Sequence, residues 1–428
     1  MYRIAWIAAG FIITAAFALA DLTGAFVADL DHPAIEYPTR PATDPIAQLN
    51  RSIQEGKIEL KFDGPSGYLR SALQALHIPV ESQMLVFSKS SFQAPRINPG
   101  NPRSLFFNDS VAVGWVRGGD ILEIAAEDPR QGVIFYLLDN QPPAKPKVEE
   151  PQFKRSDECL QCHESYSTLG VPGMLMRSVY PGPDGTPMFA AGTFATDHRS
   201  PIEERWGGWY VTGDSGSIRH LGNAAYADPQ NPRPVTARPI RSPHSVQGRF
   251  DATGFLTPYS DIVALLTFEH QVRMVNLLTR VGWEIRYALH EEQHGTVGHD
   301  YTLRRLRETT GEIVDYLLFA DEAPLAGVVK GSSGFAETFA AAGPFDRQGR
   351  SLRQFDLKTR LMRYPCSYMI YSPAFDALPA ESNHAISRRL SEILSGEDRE
   401  AKYARLSRTD RQAVLEILRD TKSDLFAN

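Results

Sequence analysis

Cysteine is scarce in this chain, with three residues in 428, too few for the disulfide framework of a small secreted domain. A basic excess is missing too: 45 Lys and Arg stand against 51 Asp and Glu, for a net charge of −6. That balance offers no positive field for a nucleic acid. Beyond residue 20 no uninterrupted apolar run is long enough to span a bilayer. With 42% hydrophobic and 22% charged residues, the composition also excludes a disordered chain.

What is present is concentrated in residues 156–165, "SDECLQCHES". Cys159, Cys162 and His163 form C-x-x-C-H, the attachment pattern of a c-type haem. Two thiols at this spacing can reach the two vinyl groups of one porphyrin, and the adjacent imidazole then meets the iron from the proximal side. A thioredoxin-like pair would need a βαβ context, whereas a polar, Pro-rich stretch precedes Cys159. A zinc site would need further Cys or His at short paired spacing, and the remaining cysteine, Cys366, stands alone in "RYPCSYMIY". In that apolar, aromatic setting a free thiol is expected to behave as a small buried hydrophobe. The motif occurs once, so one haem is the limit.

The first twenty residues, "MYRIAWIAAGFIITAAFALA", carry Arg3, an apolar run and a terminal Ala18-Leu19-Ala20. This pattern predicts a signal peptide over 1–20 with the mature chain starting at Asp21, and a periplasmic address. The alternative is an uncleaved N-terminal membrane anchor. Either places a haem outside the cytoplasm.

The length predicts about two to three domains, and the pattern is α+β. Over 44–140, Leu69, Leu73, Leu76 and Ile78 recur at helical spacing, followed by short apolar runs of β-formers. His77 reads there as a helix-end or packing residue. "DNQPPAKPKVEEPQFKRS", with four prolines, reads as a linker. The segment 156–225 is rich in Gly, turns and aromatics and predicts short strands and loops; a second Pro-rich stretch closes it. Residues 250–428 are helical in pattern. Ser260 or Asp261 is available as an N-cap, Gly396 as a terminator, and Thr409 with Gln412 as a capping box.

"CLQCH" makes the chain resemble c-type cytochromes, and "HRSPIEERWGGWYVTG" and "RHLGN" are similar to strings in large cytochrome-like proteins of environmental bacteria. The resemblance implies haem c, His163 as proximal ligand, and electron transfer. The chain departs from a small cytochrome c in having a whole domain before the motif and a long helical region after it.

The iron's chemistry depends on its sixth position, open or ligated. His198 and His220 are the leading candidates, followed by His270, then a methionine among Met174, Met176, Met188 and Met274. Trp206 and Trp209 are candidates for walls around the ring. Arg177, Arg199, Arg205 and Arg219 are candidates for pairing with its carboxylates. The sequence therefore predicts a periplasmic monohaem cytochrome exchanging electrons with redox partner proteins, with no membrane span in the mature chain. A peroxidase-like haem enzyme with an open distal site and a haem-based sensor stand as alternatives.

Overall fold

A computed structural model of the chain describes residues 26–143, 150–226 and 242–426. The expected signal sequence, the centre of the linker and most of the second Pro-rich stretch lie outside them. The architecture is α+β, with an N-terminal sheet region and a C-terminal helical region.

Six strands form an antiparallel sheet in sequence order: β1 (Met84–Val86), β2 (Arg103–Phe107), β3 (Val111–Val116), β4 (Ile121–Asp128), β5 (Gly132–Asp139) and β6 (Lys154–Arg155). Alternation assigns the two faces different work. Phe106, Val113, Trp115, Leu122, Ile124, Ile134, Tyr136 and Leu138 are buried in one core with α1 (Pro45–Gln54) and α2 (Leu69–Ala75). Leu69, Leu73, Leu76 and Ile78 belong to that core, and exposed His77 lies just past α2 in the left-handed region, φ 53°.

The opposite face carries Leu105, Gly114, Glu123 and Leu137 in one register row, and Phe107, Ala112, Ala125 and Phe135 in the next. Its partners come from much later in the chain. Phe107, Ala112 and Phe135 share a core with Met176, Trp206, the long helix and residues out to Leu425. A hydrophobic core that runs through sheet, motif segment and helices fixes their relative positions, since each fully buried Leu or Phe contributes roughly 1.5–3 kcal/mol.

The long helix α4 (Ile262–Gln293) has 32 residues and starts at Asp261, whose side chain accepts from the Val263 and Ala264 amides. Its first two-thirds are buried all round, as expected of a helix that crosses a core. Against it packs α5 (His299–Leu317), and α6 (Phe335–Ala341), α7 (Pro373–Asp376), α8 (Ala380–Ser395) and α9 (Arg408–Thr421) complete the region. Gly396 ends α8 at φ 85°. The capping box of α9 is not Thr409 with Gln412. Ser407 caps the helix two residues earlier, accepting from the Asp410 amide at 3.0 Å while Asp410 accepts from the Ser407 amide at 3.1 Å. No helix among the described residues is long and apolar enough to cross a membrane.

Candidate functional site

The motif sits at the edge of the sheet because β6 delivers it there. Lys154 pairs with Leu137 and Arg155 with Tyr136, and the Ser156 amide donates to the Phe135 carbonyl at 2.9 Å. One 3-10 turn, Asp157–Cys159, leads into the short helix α3 (Leu160–His163). Cys159 already has helical angles, φ −62° and ψ −28°. Cys159, Cys162 and His163 therefore stand at i, i+3 and i+4 and share one helical face. Cys159 is half-buried and packed against the core, whereas Cys162 is exposed. Burial pushes the Cys159 thiol up from its ordinary value.

His163 is held from two sides. Its ring lies 4.7 Å from that of Phe135, and its Nδ1 is 2.9 Å from the Gly173 carbonyl. A carbonyl only accepts, so Nδ1 carries the proton and Nε2 keeps a free lone pair. This is the tautomer a metal ligand at Nε2 requires. Burial holds the imidazole below its ordinary pKa; the Gly173 carbonyl opposes that, and Arg103 and Arg177 reinforce it. Gly173 is anchored in turn by α4. Asn276 accepts from the Met174 amide at 2.9 Å and donates to the Met174 carbonyl at 2.8 Å. A Cβ on residue 173 would lie 2.4 Å from Asn276 Oδ1, so only glycine lets the loop approach the helix this closely.

These observations match the needs of a haem bound at the motif. Two thiols and a neutral imidazole share one face, and beside them lies a sheet surface of apolar and small side chains. Leu105, Ala125 and Leu137 on that surface are only half-buried. Cys159, Cys162 and His163 are the residues that would hold the group. Trp209 supports the same region through its indole N–H, which donates to the Arg177 carbonyl at 2.9 Å.

The other histidines lie in different surroundings. His198 Nδ1 is 2.7 Å from His270 Nδ1, and His270 Nε2 is 2.7 Å from Ser367 Oγ. Tyr316 stacks on both rings, and Phe319 stacks on His270 and lies tilted against His198. Burial depresses both pKa values, that of His270 to about 3, so a single proton occupies the Nδ1–Nδ1 bond. His198 Nε2 is buried without a partner. His220 instead belongs with Trp206, 5.2 Å away ring to ring. Its Nδ1 accepts from the Gly222 amide at 3.1 Å, so Nε2 bears the proton and donates to Ser242 Oγ at 3.0 Å. Both His220 nitrogens are thus engaged. The contacts of His163, His198 and His220 have no member in common among the described residues.

The arginines divide in the same way. Arg199 pairs with Asp197 at 2.8 Å, buried Arg205 pairs with buried Glu269 at 3.1 Å, and Arg219 is exposed. Met174, Met176 and Met274 are core residues, and Met188 is half-buried. Cys366 is fully buried, with its thiol pushed up to about 12, an unreactive structural position.

Spacing alone did not reveal His32, His290 and Glu291, whose ligand atoms cluster within 4.8 Å. His32 Nδ1 accepts from the Ala34 amide, so its Nε2 proton points to Glu291 Oε1 at 3.2 Å. The proton stands where a cation would need a lone pair, and the cluster latches the N-terminal segment to the end of α4.

His220 supplies a pH test. Burial lowers its pKa from 6.5 to about 4. The neutral ring therefore stabilises the fold fully above the unfolded value, and that contribution is lost as pH falls through the folded one. A shift of this size corresponds to roughly 3 kcal/mol. His220→Asn is expected to unfold with about one proton less uptake between pH 6.5 and 4. Urea unfolding across that range checks it, and coincident pH slopes for variant and wild type would refute it.

Comparison with family models, curated proteins and solved structures finds no match to this chain.

Proposed function

We propose that the chain is a monohaem c-type cytochrome of the periplasm, carrying one covalent haem on Cys159, Cys162 and His163 and passing electrons between protein partners. The observation that carries this reading is the Nδ1 contact of His163 with the Gly173 carbonyl, which leaves Nε2 unprotonated beside the two thiols. Bound there, the haem iron supplies one-electron redox chemistry. The chain's own residues do the rest. Asn276 fixes the Gly173 loop, Gly173 fixes the imidazole, and Phe135 sets the ring's tilt. Exposed Gln161, Cys162 and Tyr166 leave one edge of the motif open to a partner, Tyr166 at 91% exposure.

A peroxidase-like role would need an acid–base histidine beside the iron. His220 has both nitrogens engaged, and His198 is paired with His270 in a cluster that shares no contact with His163 among the described residues, which favours the carrier reading over the enzyme.

The test is a haem stain of the exported chain on a denaturing gel, with optical spectra of both redox states. One covalent haem per chain is expected, and His220→Ala should leave the spectrum unchanged. A wild type that carries no stain would overturn the reading.

A further inference from the structure

Two arginines stand near the motif: Arg103, on the sheet face beside it and not singled out by sequence spacing, and Arg177, which was among the sequence candidates. Arg103 on β2 lies across Gly114 of β3, and a Cβ there would meet its Nη2 at 2.4 Å. It reaches Glu123 of β4, with Nη2 2.9 Å from the carboxylate, and its Nε is buried without a hydrogen-bond partner. Glu123 acts electrostatically on Cys159, and both members of the pair act on His163. Arg177 opens β7 (Arg177–Val179), which pairs with β8 (Thr193–Ala195). The Arg177 carbonyl accepts from the Trp209 indole, and Trp209 bridges Val86, the register partner of Arg103, so the two arginines lie in one region. Half-buried Arg177 makes no side-chain hydrogen bond or ion pair among the described residues.

From β5, beside the motif, to β3, under Arg103, is two strand spacings, about 10 Å. A haem attached at the sheet edge would extend over this face and bring two carboxylates with it. Taking carboxylates out of water requires cations with donors to spare. Arginine meets a carboxylate with a planar fork.

We propose that Arg103 and Arg177 receive the two carboxylates of a haem bound at Cys159, Cys162 and His163, and that Gly114 is small so that Arg103 can lie flat on the sheet. This rests on the haem reading above. Removing either cation leaves a carboxylate uncompensated near the iron. The added negative potential stabilises the ferric state, and the midpoint potential falls.

The experiment is a redox titration of purified holoprotein, with haem stain as a second readout. Arg103→Gln and Arg177→Gln should each shift the equilibrium about tenfold toward ferric, about 59 mV for one electron. Gly114→Val displaces Arg103 without removing a charge and should shift it in the same direction. Arg103→Lys should stay near wild type, as should Arg347→Gln, an exposed position paired with Asp420. Attached haem with unchanged potential in both Gln variants overturns the proposal and leaves the haem reading standing. Loss of haem in Arg103→Gln but not in Arg103→Lys supports it, whereas loss in both shows a packing role and overturns it. A wild type without haem overturns the reading beneath it.

Discussion

Cys159→Ala, exported alongside the wild type, is expected to lose most of its haem stain while remaining folded and soluble. The thiol lies half-buried beside Ser156, Glu123 and the core, so its loss removes one covalent tether and a small packing contact. Alanine is a strong helix former at the start of α3 and leaves the turn intact. Cys162→Ala removes an exposed thiol and should cost even less stability, with the same loss of attachment. His163→Ala acts differently. It removes the imidazole from Phe135 and Gly173, so any haem still tethered through the thiols would lose its proximal ligand and the absorption spectrum that ligand sets. Full staining in both cysteine variants would exclude covalent attachment at this motif. Weak staining in either, with circular dichroism equal to wild type, is the expected pattern.

Local chemistry was legible in the sequence. The Asp261 cap, the Gly396 terminator and the alternation of the strands all lie within a few residues of what they determine. Features that join distant residues were not. His198 and His270 meet across 72 positions, and nothing in the spacing of either pairs them. The sheet face beside the motif joins β2, β3, β4 and β5 to a segment that begins only after the linker. Alternation shows that such a strand has two faces, not what covers the second. One local signal was available. Asp197 stands two residues before Arg199 and takes its guanidinium at 2.8 Å. Arg103 and Glu123 lie 20 positions apart on different strands, and neither had such a neighbour to explain it.

Arg205→Leu is expected to be the most destabilising single change in the buried polar network between residues 196–205 and α4. Arg205 is 2% exposed and makes four contacts. Besides Glu269, it donates to the Ser200 carbonyl from Nε at 3.0 Å and from Nη2 at 2.6 Å, and to the His198 carbonyl at 2.9 Å. Leucine fills the volume but leaves a buried carboxylate and two carbonyls without these donors. Breaking a buried pair in this way costs about 3–5 kcal/mol. Burial already pushes Glu269 up to about 7 with Arg205 opposing it. Without the cation the carboxyl rises further and is held neutral, with only Thr196 Oγ, at 2.7 Å, still donating to it. A raised folded pKa favours the fold at low pH, and the advantage is lost as pH rises through it. The deficit of Arg205→Leu should therefore be smaller at pH 5 than at pH 8. Adding Glu269→Met replaces the remaining charge with an apolar side chain and should recover most of the loss, without the pH dependence. Urea unfolding at both pH values measures this directly. A single variant within about 1 kcal/mol of wild type, or a double variant no better than the single, would refute the assignment. The haem spectrum of the single variant should match wild type, because the network shares no contact with His163.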